Sequence, residues 1–231
     1  MSVEAGTVHA LIGPNGSGKS TLLNCITGIV RPDAAQIVFR GVTLGGLRPH
    51  RRTRLGLGRT FQNIRLFGSM SVVDNVVAGM PWRAGRAVMA AWARPPFVPA
   101  RREQADRSRA LELLARVSLA ERAHDPASTL PLADQRRVEI ARALAADPAL
   151  LLLDEPAAGM SRAEKGELNG LIRTIARGGR AVLLVEHDMP LVMEISDTVT
   201  VLNFGEKIAE GPPADVRRHP QVIEAYLGAE H

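Results

Sequence analysis

A chain of 231 residues, 45% hydrophobic and 23% charged, can bury one sizeable core, or one core with a small second lobe. Its apolar runs, such as residues 149–153, are far short of the ~20 residues a membrane span needs, and no signal peptide is expected. Cys25 is the only cysteine, which excludes an internal disulfide and a multi-cysteine metal site and suits a reducing cytoplasm. The net charge of +5 is carried by arginine, since Lys19, Lys165 and Lys207 are the only lysines. Arginine clusters at residues 48–59 and 101–109 read as solvated helix faces. Acids interrupt the second cluster and aromatics make up only 3% of the chain, so no nucleic-acid partner is expected.

In chain order, Val8–Ile12 reads as a buried strand, residues 13–18 as a glycine-rich loop, and Lys19–Thr27 as a helix that Gly28 terminates. Residues 36–39 form a short strand before a turn at Gly41. After Gln62 the character changes. Ser71 caps a short helix through Val77, and a proline- and tryptophan-rich stretch runs from 81 to 99. A charged amphipathic helix follows at about 101–117, with Leu111, Leu114 and Val117 on one face. A second helix, about 134–146, stops near Asp147-Pro148 because proline disfavours helix in the residue before it. Strand, helix and strand return at 150–153, 163–176 and 181–185, and further strands fall at 198–202 and 207–210. Strands alternating with helices predict an α/β fold with a mostly parallel sheet, built from residues 1–62 and 146–231, with 63–145 as a mostly helical insertion.

Four groups of residues carry chemistry. Gly13-Pro14-Asn15-Gly16-Ser17-Gly18-Lys19-Ser20, followed by Thr21, matches the phosphate-binding pattern G-x-x-x-x-G-K-[ST]. Glycines let peptide N–H groups turn toward phosphate oxygens, and the next helix offers its positive end. Lys19 can reach the β- and γ-phosphates of a nucleoside triphosphate, and the Ser20 hydroxyl can ligate Mg²⁺. The apolar run 150–153 ends in Asp154-Glu155, a Walker B arrangement. Asp154 would hold Mg²⁺ through its water shell, and Glu155 would polarise an attacking water. Two acids after a strand also fit a helix cap, and the phosphate loop is what favours the metal reading. His187 ends another apolar strand, where ligands of parallel sheets gather. His9, His50, His124, His219 and His231 read as surface or satisfied core residues. Gln62, in Arg59-Thr60-Phe61-Gln62-Asn63, can offer its amide oxygen to Mg²⁺ or water at the junction of core and insertion.

Taken in order, these motifs resemble the ATP-binding subunits of ABC transporters along nearly the whole chain. Residues 59–67, 135–144, 155–160, 201–211 and the tail 222–228 look like those of the high-affinity branched-chain amino acid importers, and urea and amide importers share much of the pattern. The resemblance implies a P-loop NTPase (RecA-like) core with an inserted helical ABC subdomain, binding ATP and Mg²⁺. It implies a subunit that pairs head to tail with a second ABC ATP-binding subunit around two ATP molecules. Hydrolysis would drive two membrane permease subunits, fed by an extracytoplasmic solute-binding protein, from the cytoplasmic face of the membrane. Gln62 would report nucleotide state to the helical lobe. Two rival readings are a soluble ABC ATPase acting in nucleic-acid metabolism and a non-catalytic ATP-binding partner subunit.

The family pattern is broken in three places. The usual Leu-Ser-Gly-Gly-Gln signature is replaced by Leu130-Pro131-Leu132-Ala133-Asp134, where Pro131 has neither a hydroxyl nor an N–H, and Ala133 adds a methyl where glycine permits close approach. The D-loop, Ala158-Gly159-Met160-Ser161, has serine where an acid or amide is usual and Arg162 where proline is common. Family members begin some twenty-odd residues earlier, with an aromatic that stacks on adenine, whereas here no aromatic precedes Phe39. One competent half-site, completed by another subunit, is the expectation.

Overall fold

In the computed structural model, residues 1–81 and 98–227 are described. Most of the proline- and tryptophan-rich stretch expected at 81–99 lies outside them, as do Gly228 of the tail and His231. The chain divides into two units, one comprising Met1–Asn63 and Pro148 onward, the other Ile64–Asp147.

In the first unit the strands are β1 (Val8–Ile12), β2 (Val38–Phe39), β3 (Val42–Thr43), β4 (Leu57–Arg59), β5 (Leu150–Asp154), β6 (Ala181–Val185), β7 (Thr198–Asn203) and β8 (Glu206–Gly211). Six of them form one sheet in the order β4-β5-β6-β1-β7-β8, parallel except for β8 at one edge, while β2 and β3 pair separately as an antiparallel ribbon. Every residue of β1, β5 and β6 is buried, as strands covered on both faces must be. Side chains alternate between two cores. Leu11, Leu152 and Leu183 pack with Leu23 and Ile26, whereas Ala10 and Ile12 pack with Val192, Val199 and Val201.

The unit's helices are α1 (Lys19–Thr27) and α2 (Pro49–Arg54) before the insertion; the helices after it are named below. Gly28 closes α1 at φ 79°, a conformation that favours glycine. The reading of residues 48–59 as a solvated face fails at Arg52, which is buried. Its guanidinium donates to the Cys25, Ile26 and Leu47 carbonyls and thereby satisfies the last turn of α1. β4 and α2 were not expected from sequence. Three residues that include Gly58, with no alternating pattern, give no strand signal before the sheet supplies the partner.

The second unit holds α3 (Val72–Val77), α4 (Val98–Arg116) and α5 (Leu132–Leu144), which pack on one another. Ser71 caps α3 by accepting from the Asp74 N–H. The buried apolar face of α4 is Ala110, Leu113 and Leu114, with Val117 just past its end, and Leu111, expected on that face, is exposed. α5 ends at Leu144, two residues before the expected stop, and Asp147 takes φ 52° ahead of Pro148. Inside this unit Glu139 is buried, accepts the Arg65 N–H and pairs with Arg136 and Arg142; burial pushes its carboxyl up despite these partners. After the insertion the first unit resumes with α6 (Arg162–Arg177), α7 (Met189–Ile195), α8 (Pro213–Val216) and α9 (Pro220–Leu227).

Two predictions follow from packing and burial. A Cβ on Gly79 would lie 2.1 Å from the Arg142 carbonyl oxygen. Gly79→Ala is therefore expected to lower unfolding stability by about 1–3 kcal/mol in urea titrations, whereas Gly45→Ala, whose nearest neighbour would be 3.8 Å away, is expected to be close to neutral. His9 is buried with Nε2 2.7 Å from the Thr200 hydroxyl, and burial lowers its pKa from 6.5. The fold prefers neutral His9, so stability should fall as pH drops below ~6.5, by at most ~1.4 kcal/mol per pH unit from this group. Melting curves between pH 7.5 and 5.5 should show a flatter decline for His9→Gln, within about that bound.

Candidate functional site

The parallel register brings the carboxyl ends of β5, β6 and β1 side by side, and each strand leaves the sheet through one of the sequence-predicted motifs. β1 runs into the loop 13–18. Gly13 adopts φ 150°, and a Cβ there would stand 2.1 Å from the Leu202 carbonyl oxygen, so only glycine fits. The Ser17 N–H donates to the Pro14 carbonyl, and the Ser17 carbonyl accepts from Gly205, which pins the loop to the turn between β7 and β8. Gly18 is the N-cap of α1 with no side-chain cap, and the first turn carries no acid. The leading N–H groups of this helix lack intrahelical acceptors, and its dipole favours an anion.

Lys19 is buried, and its Nζ donates to the Gly13 and Pro14 carbonyls at 2.8 Å each and to Ser17 Oγ at 3.3 Å. Burial lowers the pKa of this ammonium, and the nearby charges of Glu155 and Asp154 work against that shift. Asn15, Gly16, Ser20 and Thr21 are exposed along the loop and the first turn.

At the end of β5, Asp154 is buried and accepts from Arg59 Nη2 at 3.0 Å. The same guanidinium donates to Asn24 Oδ1 and Thr27 Oγ1 of α1 and lies over the Phe61 ring. The Thr60 N–H donates to the Leu152 carbonyl, and its hydroxyl accepts from the Asp154 N–H. Residues 59–62 therefore track residues 152–155 beyond the end of the regular strands. At the far end of that track, Gln62 Nε2 donates to Glu155 Oε2 at 3.0 Å. Glu155 holds φ 47°, an uncommon conformation for a side-chain-bearing residue, and its N–H donates to the Val185 carbonyl. His187 Nδ1 stands 3.8 Å from the same Glu155 oxygen, with the imidazole largely exposed.

The structure thus gathers Gln62, Asp154, Glu155 and His187 at the edge that carries the phosphate loop. Among the D-loop residues, Ala158 and Gly159 form the turn after Glu155, Met160 is buried, and Ser161 caps α6 in a reciprocal capping box with Glu164. Its hydroxyl therefore has a structural use. The signature residues lie in the helical unit. Leu130 and Ala133 are buried within it, so the Ala133 methyl is not on the outer surface; Pro131 and Leu132 are exposed, and Asp134 pairs with Arg122 and Arg137. Pro131 is the N-cap of α5 and provides no side-chain cap.

Sequence reasoning assigned no role to Arg59, Glu186 or the Lys165–Asp188 pair. Glu186, buried at the end of β6, accepts the N–H groups of Ala157 and His187. Lys165 bonds Asp188, which caps α7 through the Leu191 N–H, and the Lys165 contact holds the Asp188 carboxyl below its usual range. A charged residue immediately after a five-residue apolar strand was the available signal for Glu186.

Among the described residues no three acidic, histidine or cysteine groups form a metal cage. Magnesium needs none, since it binds through one or two protein oxygens and phosphates. The oxygen donors Ser20, Asp154 and Gln62 suit that ion, and the uncapped helix end with its glycine loop suits a polyphosphate.

The ABC transporter family profile matches residues 1–158, and the profile described as branched-chain amino acid ATP-binding cassette transporter matches residues 206–231. The chain is 42% identical over 223 residues to the high-affinity branched-chain amino acid transport ATP-binding protein LivG of Escherichia coli, covering 96% of this chain and 87% of that protein. It is 41% identical to the corresponding protein BraF of Pseudomonas aeruginosa, covering 99% and 89%. A solved ATP-binding cassette of an ABC transporter, in its ADP conformation, superposes with a TM-score of 0.83 at 29% identity, covering 99% of this chain and 90% of that one. With this fold, this site and these matches, the chain belongs to the family of ABC transporter ATP-binding proteins.

Proposed function

We propose that the chain is the ATP-hydrolysing subunit of an importer for branched-chain amino acids, acting through separate membrane permeases at the cytoplasmic face of the membrane. The convergence of Lys19, Gln62, Asp154, Glu155 and His187 at one sheet edge carries this reading. No helix among the described residues is long and apolar enough to cross a membrane, which suits a subunit that docks onto membrane partners. The similarity to LivG and BraF supports the choice of solute.

The triphosphate lies along the loop 13–18 and the first turn of α1. Lys19 then exchanges the Gly13 and Pro14 carbonyls for phosphate oxygens, a swap that its buried ammonium favours because anionic acceptors bind it more strongly. Ser20, Asp154 and Gln62 would hold magnesium, which would supply charge neutralisation to the phosphates. Arg59 fixes one oxygen of Asp154 and ties it to α1, so the carboxylate is oriented before nucleotide arrives. Glu155 accepts a proton from the attacking water as general base, Gln62 donates a hydrogen bond to it, and His187 stands beside it at 3.8 Å. The partners are a second ATP-binding subunit, two permeases and an extracytoplasmic solute-binding protein. Exposed Pro131 gives the signature no hydroxyl or N–H, so the composite site that uses it is impaired, while the site built on this chain's Walker residues works with the partner's signature.

In the reconstituted heterodimer, Glu155→Gln should lower ATP turnover by about 100-fold or more while leaving ATP binding within about threefold, read by turnover and equilibrium binding together. Persistence of the full rate would contradict the one-site account. Adding Pro131→Ser to Glu155→Gln should then restore part of the turnover by repairing the other site, and phosphate release at saturating ATP is the measurement.

A further inference from the structure

The parallel ladder between β5 and β6 ends with the Glu155 N–H on the Val185 carbonyl. Pro156 has no N–H to continue it, and the next donor, Ala157, is buried at 2% exposure. A buried peptide N–H must find an acceptor. Among the described residues no backbone carbonyl takes that place. Glu186 Oε1 accepts the Ala157 N–H at 3.0 Å, while its Oε2 accepts the His187 N–H at 3.2 Å. The Glu186 side chain is 1% exposed, and Oε2 also stands 3.9 Å from His187 Nδ1, the same atom that lies 3.8 Å from Glu155 Oε2. A carboxylate is the one ordinary side chain with two acceptor oxygens and no donor, which two converging N–H groups require.

We propose that Glu186 is a positioning residue for hydrolysis. It bridges the turn that carries Glu155 to the turn that carries His187, and it sets the imidazole against the candidate water-activating carboxylate. This inference deepens the ATP-hydrolysis reading above and rests on it. Burial opposes the charged form of Glu186, and its peptide donors offset part of that cost, which is the balance of a group retained for geometry.

Glu186→Gln tests the bridge, because the amide keeps the shape but presents an NH₂ to one of the two N–H groups. In the full chain without nucleotide, amide hydrogen exchange at Ala157 and His187 should accelerate about 10-fold or more, with exchange at Leu152 and Leu183 unchanged. In the reconstituted assembly, kcat should fall about 10- to 100-fold with KM for ATP within about threefold. In a His187→Ala background the same substitution should cost little, since the group it positions is gone. Unchanged exchange at Ala157 and His187, an unchanged kcat, or an equal loss in both backgrounds would each overturn the proposal. Glu186→Thr, which keeps one acceptor oxygen, carries the same comparisons if the glutamine variant does not fold. Absence of wild-type turnover would defeat the hydrolysis reading alone, because the exchange comparison still decides the bridge.

Discussion

The whole site hangs on a register constraint. β5, β6 and β1 run parallel with Asp154 opposite Val185 and Leu11 opposite Val185, so three apolar strands end at one level. Because each is buried on both faces, no strand can slip by one residue without moving its side chains between the two cores. Hydrophobic burial thereby fixes where the polar chemistry emerges. The phosphate loop, the acidic pair and the histidine are brought to one edge of the sheet.

Past the strand ends the sheet can no longer supply hydrogen bonds, and side chains take over. Arg59 ties Asp154 to α1, Thr60 extends the contact between β4 and β5, and Glu186 replaces the missing rung after Pro156. These contacts use buried charges, whose desolvation is costly unless they are closely paired. Arg59 meets that condition with three acceptors, and Glu186 meets it with peptide N–H groups. The result is an edge held rigid at Asp154 and strained at Glu155, with Lys19 resting on carbonyls that phosphate oxygens can replace.

Much of this was legible in the chain itself, for identifiable reasons. Val8–Ile12 and Ala181–Val185 stood out because fully buried strands are uninterrupted apolar runs. The helix after the loop stood out because Gly18 and Gly28 bracket it. β4 did not, because an edge strand of three residues acquires its identity from β5. Arg52 and Arg59 were hidden inside a run of arginines that looked like solvent-facing charge, although each is committed to α1. Glu186 was hidden by position, since a charge just past a strand reads as the first residue of a loop. What made it a buried acceptor was Pro156, in the turn after a different strand and thirty residues away in sequence.

The central claim is that recognition rests on phosphates seated on the loop 13–18 and the first turn of α1. Equilibrium binding of ATP, ADP and AMP to the purified chain in the presence of Mg²⁺ tests it most directly. The account predicts that ATP and ADP bind with similar affinity and that AMP, with one phosphate, binds at least about 10-fold more weakly. AMP binding as tightly as ADP would contradict it.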